Sequence, residues 1–172
     1  MPQLIDKDKD TKIPIIICHG ISQKLSLSRF EKYLGIVSEM GCQTINYDQL
    51  YRWLTGNGRL PEHPVMFDFD HPLGNICTDI FQLFRRYGFV GNLFINTGYF
   101  DTCSYGKSVS AGLPACATWD RIAALKECGW TIGSHTHTHP NLSQLAIEDP
   151  TGRKICEEMS INDDLIYKNL GQ

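Results

Sequence analysis

The chain has 172 residues, 42% of them hydrophobic and 20% charged, with a formal net charge of −3. That is the length and composition of one globular domain with room for a sizeable core. The balance of charge offers no basic patch for nucleic acid or an anionic membrane, and no apolar stretch approaches the roughly 18 residues of a membrane span. Met1 to Lys12 is polar and charged, unlike a signal peptide. Seven cysteines, an odd number with no CxxC pair, read as buried free thiols, a usage that leans toward a reducing, cytoplasmic compartment.

Ile13 to Cys18 is a short continuous apolar run, the pattern of a strand buried on both faces. Ser26 or Ser28 can cap a helix that runs to about Met40, with Gly41 at its stop. Thr44 to Asn46 reads as a short strand, and Tyr47-Asp48 opens a helix to about Thr55. Pro64 to Asp70 is a second buried strand, followed by a helix over about 78–87. Gly91 to Asn96 is the third strand. Residues 99–117, rich in Gly and Ser, read as a long loop, within which Cys103 and Cys116 could pair. Thr118 caps a helix to Cys128, Trp130 to Ser134 is the fourth strand, a loop reaches Pro150, and a last helix covers about 153–170.

From residue 64 onward strands alternate with helices, which implies βαβ units and a parallel sheet or barrel. Chemistry in such folds sits at the C-terminal ends of the strands. Two polar clusters fall there: Asp68, Asp70 and His71 after one strand, and His135, His137 and His139 after another.

Imidazole is the commonest metal ligand among side chains. His135 and His139 lie four apart in a tight segment, so one zinc-like ion could accept both. A catalytic zinc keeps three protein ligands and one open position, and Asp70 or His71 is placed to supply the third. A carboxylate beside the open position would serve as general base. His137 points away from its neighbours in an extended segment and is left out of the coordinating set. Histidines that merely hydrogen-bond a loop would suit one such residue better than three facing an Asp-Phe-Asp-His string. His19, at the end of the first strand, is a candidate to line the same site. Asn96-Thr97-Gly98 reads equally as a substrate contact or a plain turn, and Trp119 and Trp130 read as core rather than sugar platforms.

These residues carry a resemblance. His135-Thr136-His137-Thr138-His139-Pro140 matches the His-[Ser/Thr]-x-x-His-Pro motif of the polysaccharide deacetylase family, also called the NodB homology domain. The flanks agree: Thr118-Trp119-Asp120, Gly129-Trp130 and Ile132-Gly133-Ser134 lead in, and Asn141-Leu142 leads out. Ile13-Pro14-Ile15 with His19-Gly20 is similar to the lead strand of members whose catalytic domain follows a short extension. The resemblance implies a distorted (β/α) barrel, often working outside the cytoplasm, that removes N- or O-acetyl groups from a carbohydrate. It implies one divalent metal, zinc by preference, with His135 and His139 as ligands.

The family's first motif, Thr-Phe-Asp-Asp-Gly, supplies the general base and then a metal ligand. Here the string is Asp68-Phe69-Asp70-His71-Pro72. An ungapped register makes Asp70 the base and His71 the third metal ligand, with Asp68 at the Thr position. A second register, the Asp-x-Asp arrangement of some family members, makes Asp68 the base and Asp70 the ligand, since both lie on one side of the strand.

The expected fold is therefore α/β: a partial (β/α) barrel of the NodB type that lacks the C-terminal strands. Residues 1–60 are expected to form an N-terminal extension and 61–172 the first part of the catalytic domain. The sequence reads as a truncated product, so closing strands or a partner subunit would come from outside it. The functional expectation is a metal-dependent carbohydrate deacetylase acting on an acetylated carbohydrate. The second is an inactive family member that holds glycan or metal, or a truncated non-functional fragment.

Overall fold

The computed structural model describes residues 12–21, 24–100 and 116–171. Its centre is a parallel sheet of five strands: β1 (Ile15–Cys18), β2 (Gln43–Thr44), β3 (Pro64–Asp70), β4 (Asn92–Ile95) and β5 (Thr131–Ser134). The order is β1-β3-β4-β5, with β2 paired to the first residues of β3. Parallel neighbours cannot be joined by tight turns and need crossovers, usually helical. The crossovers here are α1 (Leu27–Glu39), α2 (Tyr47–Leu54), α3 (Phe81–Tyr87) and α4 (Trp119–Glu127), and after β5 come α5 (Leu142–Glu148) and α6 (Arg153–Leu170).

β3 sets the two sides of the sheet, because successive side chains point to opposite faces. Phe67 and Phe69 face outward into an aromatic cluster with Phe30 of α1, Phe84 of α3 and Trp130. Phe84 is its hub, with ring centroids 5.3 Å from Phe67 and 5.1 Å from Trp130. Trp130 is buried, as its strand position led us to expect, while Trp119 is partly buried and stacks on Phe100 at 4.3 Å. The opposite face of β3 carries Asp68 and Asp70, which register against Asn92 and Phe94 of β4. Gly133 registers against Phe94 in turn, and a β-carbon there would come within 2.7 Å of the phenyl ring.

The sheet is curved into part of a barrel and not closed. Among the described residues, β1 pairs only with β3 and β5 only with β4. Ile15 and Ile17 accordingly stand exposed, registered against Met66 and Asp68 on the polar face. The molecule is thus an α/β protein with a partial (β/α) barrel. β1 and β2, which precede residue 61, belong to the same sheet as the rest.

Two elements differ from the sequence reading. The helix expected over 78–87 begins earlier, as a π-helical turn at Ile76–Ile80 that runs into α3 and buries Ile76, Cys77 and Ile80. The loop expected up to Pro150 contains α5, capped by the Asn141 side chain, which accepts from Gln144 N. No residue of α5 is buried, and at seven residues its apolar spacing at Leu142, Leu145 and Ala146 is too short a window to read as a helix. Of the cysteines, Cys18 and Cys77 are buried, but Cys128 and Cys156 are exposed, which departs from the expectation of uniformly buried thiols. Cys103, and most of the loop expected over 99–117, lie outside the described residues.

Candidate metal centre

The C-terminal ends of β3, β4 and β5 converge on three histidines. His71 follows β3, and His135 and His139 follow β5. Each offers one ring nitrogen within 4.8 Å of the others, with ring centroids 4.9–5.3 Å apart. His71 is buried, His135 half-buried and His139 exposed, so the group opens to one side. Asp70 does not belong to this set.

The backbone is bent to make it. Among the described residues three that are not glycine have positive φ: His71 at 71°, Thr136 at 65° and His139 at 56°. Such conformations are costly for residues with a β-carbon and tend to gather at functional sites. At His71 the turn swings the ring off the strand while its N–H still donates to Phe94 O at 2.8 Å. At the other segment, His135 N donates to Ile95 O and His139 N to Thr136 Oγ1.

Asn96, at the end of β4, ties the two segments together. Its Nδ2 donates to His135 O and Thr136 O, which leaves its Oδ1 to accept from His71 Nδ1 at 2.7 Å. That hydrogen bond places the His71 proton on Nδ1 and leaves Nε2 with a lone pair. This is how proteins orient a metal-ligating imidazole. Burial, and the neighbouring His139, His135 and His19, push the His71 pKa down to about 3. His135 is lowered too, by burial first, with the Asp70 charge opposing. Neutral imidazoles are the ligating form, so the donor set fits a borderline divalent cation such as zinc.

His137 turns elsewhere. Its Nδ1 meets Thr97 Oγ1 at 2.8 Å, its N–H donates to Glu158 O and its carbonyl accepts from Gly98 N. Glu158 of α6 also receives Thr138 N and Thr138 Oγ1, both at 2.7 Å. Asn162, fully buried on α6, donates to Ile95 O and Ser134 Oγ and accepts from Thr97 N. α6 therefore braces the histidine loop from behind.

The two acids of β3 sit differently. Asp70 is partly exposed beside the histidines, with His19 Nε2 3.7 Å from its Oδ2. Asp68, one pleat below, is buried at 6% exposure and held by Tyr47 O–H at 2.8 Å and Asn92 Nδ2 at 2.9 Å. Burial, then the hydrogen bond and charge of Asp68, raise the Tyr47 pKa to about 12, so Tyr47 stays a donor. Both oxygens of Asp68 are occupied, whereas Asp70 faces the site.

Tyr47, Asn92, Asn162 and Glu158 were not anticipated as site residues, and Asn96, weighed as a substrate contact or a turn, instead orients His71. One signal was available: Asn92 and Asn96 interrupt a strand that should be continuously apolar if buried on both faces. A cavity of about 270 Å³ borders the site between His135, His139, Pro140, Leu142 and Met159. A larger one, about 710 Å³, runs along the open edge of β5 and includes none of the three histidines.

The family model for polysaccharide deacetylase matches residues 57–172, two-thirds of the chain. The chain belongs to the polysaccharide deacetylase family. Its fold is similar to that of the Streptococcus pyogenes deacetylase PplD in complex with acetate, at TM-score 0.74 and 22% identity, over 94% of this chain and 70% of that one. It is similar to IcaB from Ammonifex degensii at TM-score 0.73 and 18% identity, over 93% and 70%. A de-N-acetylase from Aggregatibacter actinomycetemcomitans aligns at TM-score 0.62 and 18% identity, over 72% and 54%. At these identities the likeness concerns the fold. No curated protein matches the chain in sequence. Among the described residues of this family member, no helix is long and apolar enough to cross a membrane.

Proposed function

We propose that this polysaccharide deacetylase family member removes acetyl groups from a carbohydrate by metal-assisted hydrolysis. The observation that carries the reading is the His71, His135 and His139 group, with three ring nitrogens converging next to the strand end that carries the partly exposed Asp70 carboxylate. His71, His135 and His139 would hold one divalent ion, zinc by its ligand preference. When bound, the ion supplies Lewis acidity toward an acetyl carbonyl and makes water acidic near neutral pH.

The chain's own residues do the rest. Asp70 is the general base: it stands at the rim and takes the proton of the attacking water. As the carbon–nitrogen or carbon–oxygen bond breaks, protonated Asp70 is placed to return that proton to the leaving group, and acetate departs. Asp68 is the buried anchor of this face and not the base, because both its oxygens are already hydrogen-bonded. Asn96 fixes the His71 tautomer. This assignment follows the register in which His71 takes the place of the family's metal-binding Asp. The substrate class follows from the family, and the acetate complex of the similar deacetylase is consistent with an acetyl group.

The test is acetate release from acetylated glucosamine and xylose oligomers by metal-loaded protein, compared with Asp70→Asn. The reading expects turnover in the wild type and at least a 100-fold loss, the scale of general-base catalysis, in Asp70→Asn. Absence of turnover with metal bound would favour a second reading, an inactive member that holds metal or glycan. That reading draws on the same His71, since a histidine in place of Asp raises the charge of the loaded site by one.

A further inference from the structure

The three histidines are not held alike. His71 is buried, and Asn96 Oδ1 accepts from its Nδ1 at 2.7 Å. His135 is half-buried and follows β5 at once, with its N–H tied to Ile95 O. His139 is exposed, farther along the loop, and among the described residues no group hydrogen-bonds its ring. Metal-ligating histidines are usually oriented through their second ring nitrogen. For His139 the orientation has to come through the main chain.

That main chain is fully paired. From His137 N to His139 N each backbone N–H and C=O has a partner. The peptide joining Thr138 to His139 is fixed at both ends: Thr138 O accepts from Tyr99 O–H at 3.2 Å, and His139 N donates to Thr136 Oγ1 at 3.1 Å. One residue back, Glu158 takes Thr138 with both carboxylate oxygens. Its Oε2 accepts from Thr138 N and its Oε1 from Thr138 Oγ1, each at 2.7 Å. Thr138 is itself exposed, so packing does not hold it. A charged acceptor, stronger than a neutral one, does. The φ of 56° at His139 is a costly conformation that persists only where its surroundings enforce it.

Glu158 acts from a fixed base. Asn162 lies four residues farther along α6, on the same side of the helix. It is fully buried and bonds Ile95 O, Ser134 Oγ and Thr97 N, at the ends of β4 and β5. The helix is thereby docked on the strand ends that carry the site.

We propose that Glu158 is a positioning residue for His139: its two-oxygen hold on Thr138 fixes the peptide that aims the His139 ring at the metal. This rests on the three-histidine reading above. It gives the last helix a share in metal affinity although that helix contributes no ligand.

The test is zinc affinity, by competition with a chromogenic chelator, in wild type, Glu158→Ala, Glu158→Gln, His139→Ala and the Glu158→Ala, His139→Ala double variant. The proposal expects Glu158→Ala to bind zinc about 10–100-fold more weakly. It expects Glu158→Gln to regain most of that affinity, because the amide oxygen accepts from Thr138 N while the amide nitrogen donates to Thr138 Oγ1. With His139 removed, Glu158 has no ring left to aim, so the double variant should bind within about twofold of His139→Ala. Glu158→Ala affinity equal to wild type overturns the proposal. So does an equal loss in both backgrounds, the mark of a general loosening, and so does Glu158→Gln as weak as Glu158→Ala, the mark of a lost charge. If Glu158→Ala does not fold, Thr138→Val, an exposed change that deletes one of the two contacts, carries the same cycle with a smaller loss expected and the same outcomes deciding. Wild-type protein that binds no zinc overturns the metal reading and this proposal together. Zinc binding indifferent to Glu158 overturns this proposal alone.

Discussion

β3 presents two faces that obey opposite rules. Outward, Phe67 and Phe69 meet Phe30, Phe84 and Trp130, and each ring gains from being removed from water. Inward, Asp68 and Asp70 share a face with Asn92 and approach Tyr47 and His19, where every buried polar atom needs a partner. One strand of seven residues thus holds the fold with one face and the chemistry with the other. Polar groups on the inward face are affordable because the outward face carries the burial. Damage to the first should cost stability, and damage to the second should cost ligand binding or turnover.

The largest expected effect lies on the outward face. Phe84→Ala empties the hub of the cluster and should destabilise the fold by about 3–5 kcal/mol, read by urea denaturation. If the variant still folds, its metal stoichiometry should be unchanged. A loss of metal without loss of stability would break the division of labour.

On the inward face, Asn96→Leu removes the acceptor that fixes His71 Nδ1 and the donor that holds His135 O. Metal affinity should fall by about 10–100-fold, measured by competition with a chromogenic chelator. Tyr47→Phe takes one of two donors from buried Asp68 and should cost about 1–3 kcal/mol, with metal still bound. If Tyr47→Phe instead removed the metal, Asp68 would be closer to the coordination chemistry than its hydrogen bonds indicate.

The smallest effect is a dependence on pH. Folded and metal-free, His71 stays neutral down to about pH 3, whereas in the unfolded chain it takes a proton near 6.5. The unfolded state binds more protons between those values, so the metal-free chain should lose stability as pH falls from about 6.5 toward 3 and show no such slope above it. His71→Gln should flatten that part of the profile, read as melting temperature against pH in the presence of a chelator.

Much of this was legible in the residues. The apolar run at Pro64–Asp70 announced a buried parallel strand, and the His-x-His-x-His-Pro string announced a metal-type site at a strand end. The run at Ile13–Cys18 announced a strand that is not buried on both faces, since Ile15 and Ile17 stand exposed at the sheet edge. What escaped notice had physical reasons. α5 is seven residues long, so its Asn141 cap and the Leu142, Leu145 and Ala146 spacing were too brief to stand out from a loop. Asn96 read as a substrate contact or the start of a turn, because its Asn-Thr-Gly context says nothing of the histidine 25 residues away that it orients. Tyr47 reaches Asp68 only because β2 pairs with the start of β3 and delivers α2 over the polar face. The strained φ values at His71, Thr136 and His139 are set by these long-range contacts and leave no mark in local composition.

The central claim is that His71, and not Asp70, completes the metal site with His135 and His139. The most direct measurement is the metal content, by elemental analysis, of zinc-supplemented wild type, His71→Ala and Asp70→Asn, each first checked for folding. The account predicts about one equivalent in wild type and in Asp70→Asn, and loss in His71→Ala. Zinc retained by His71→Ala and lost from Asp70→Asn would contradict it.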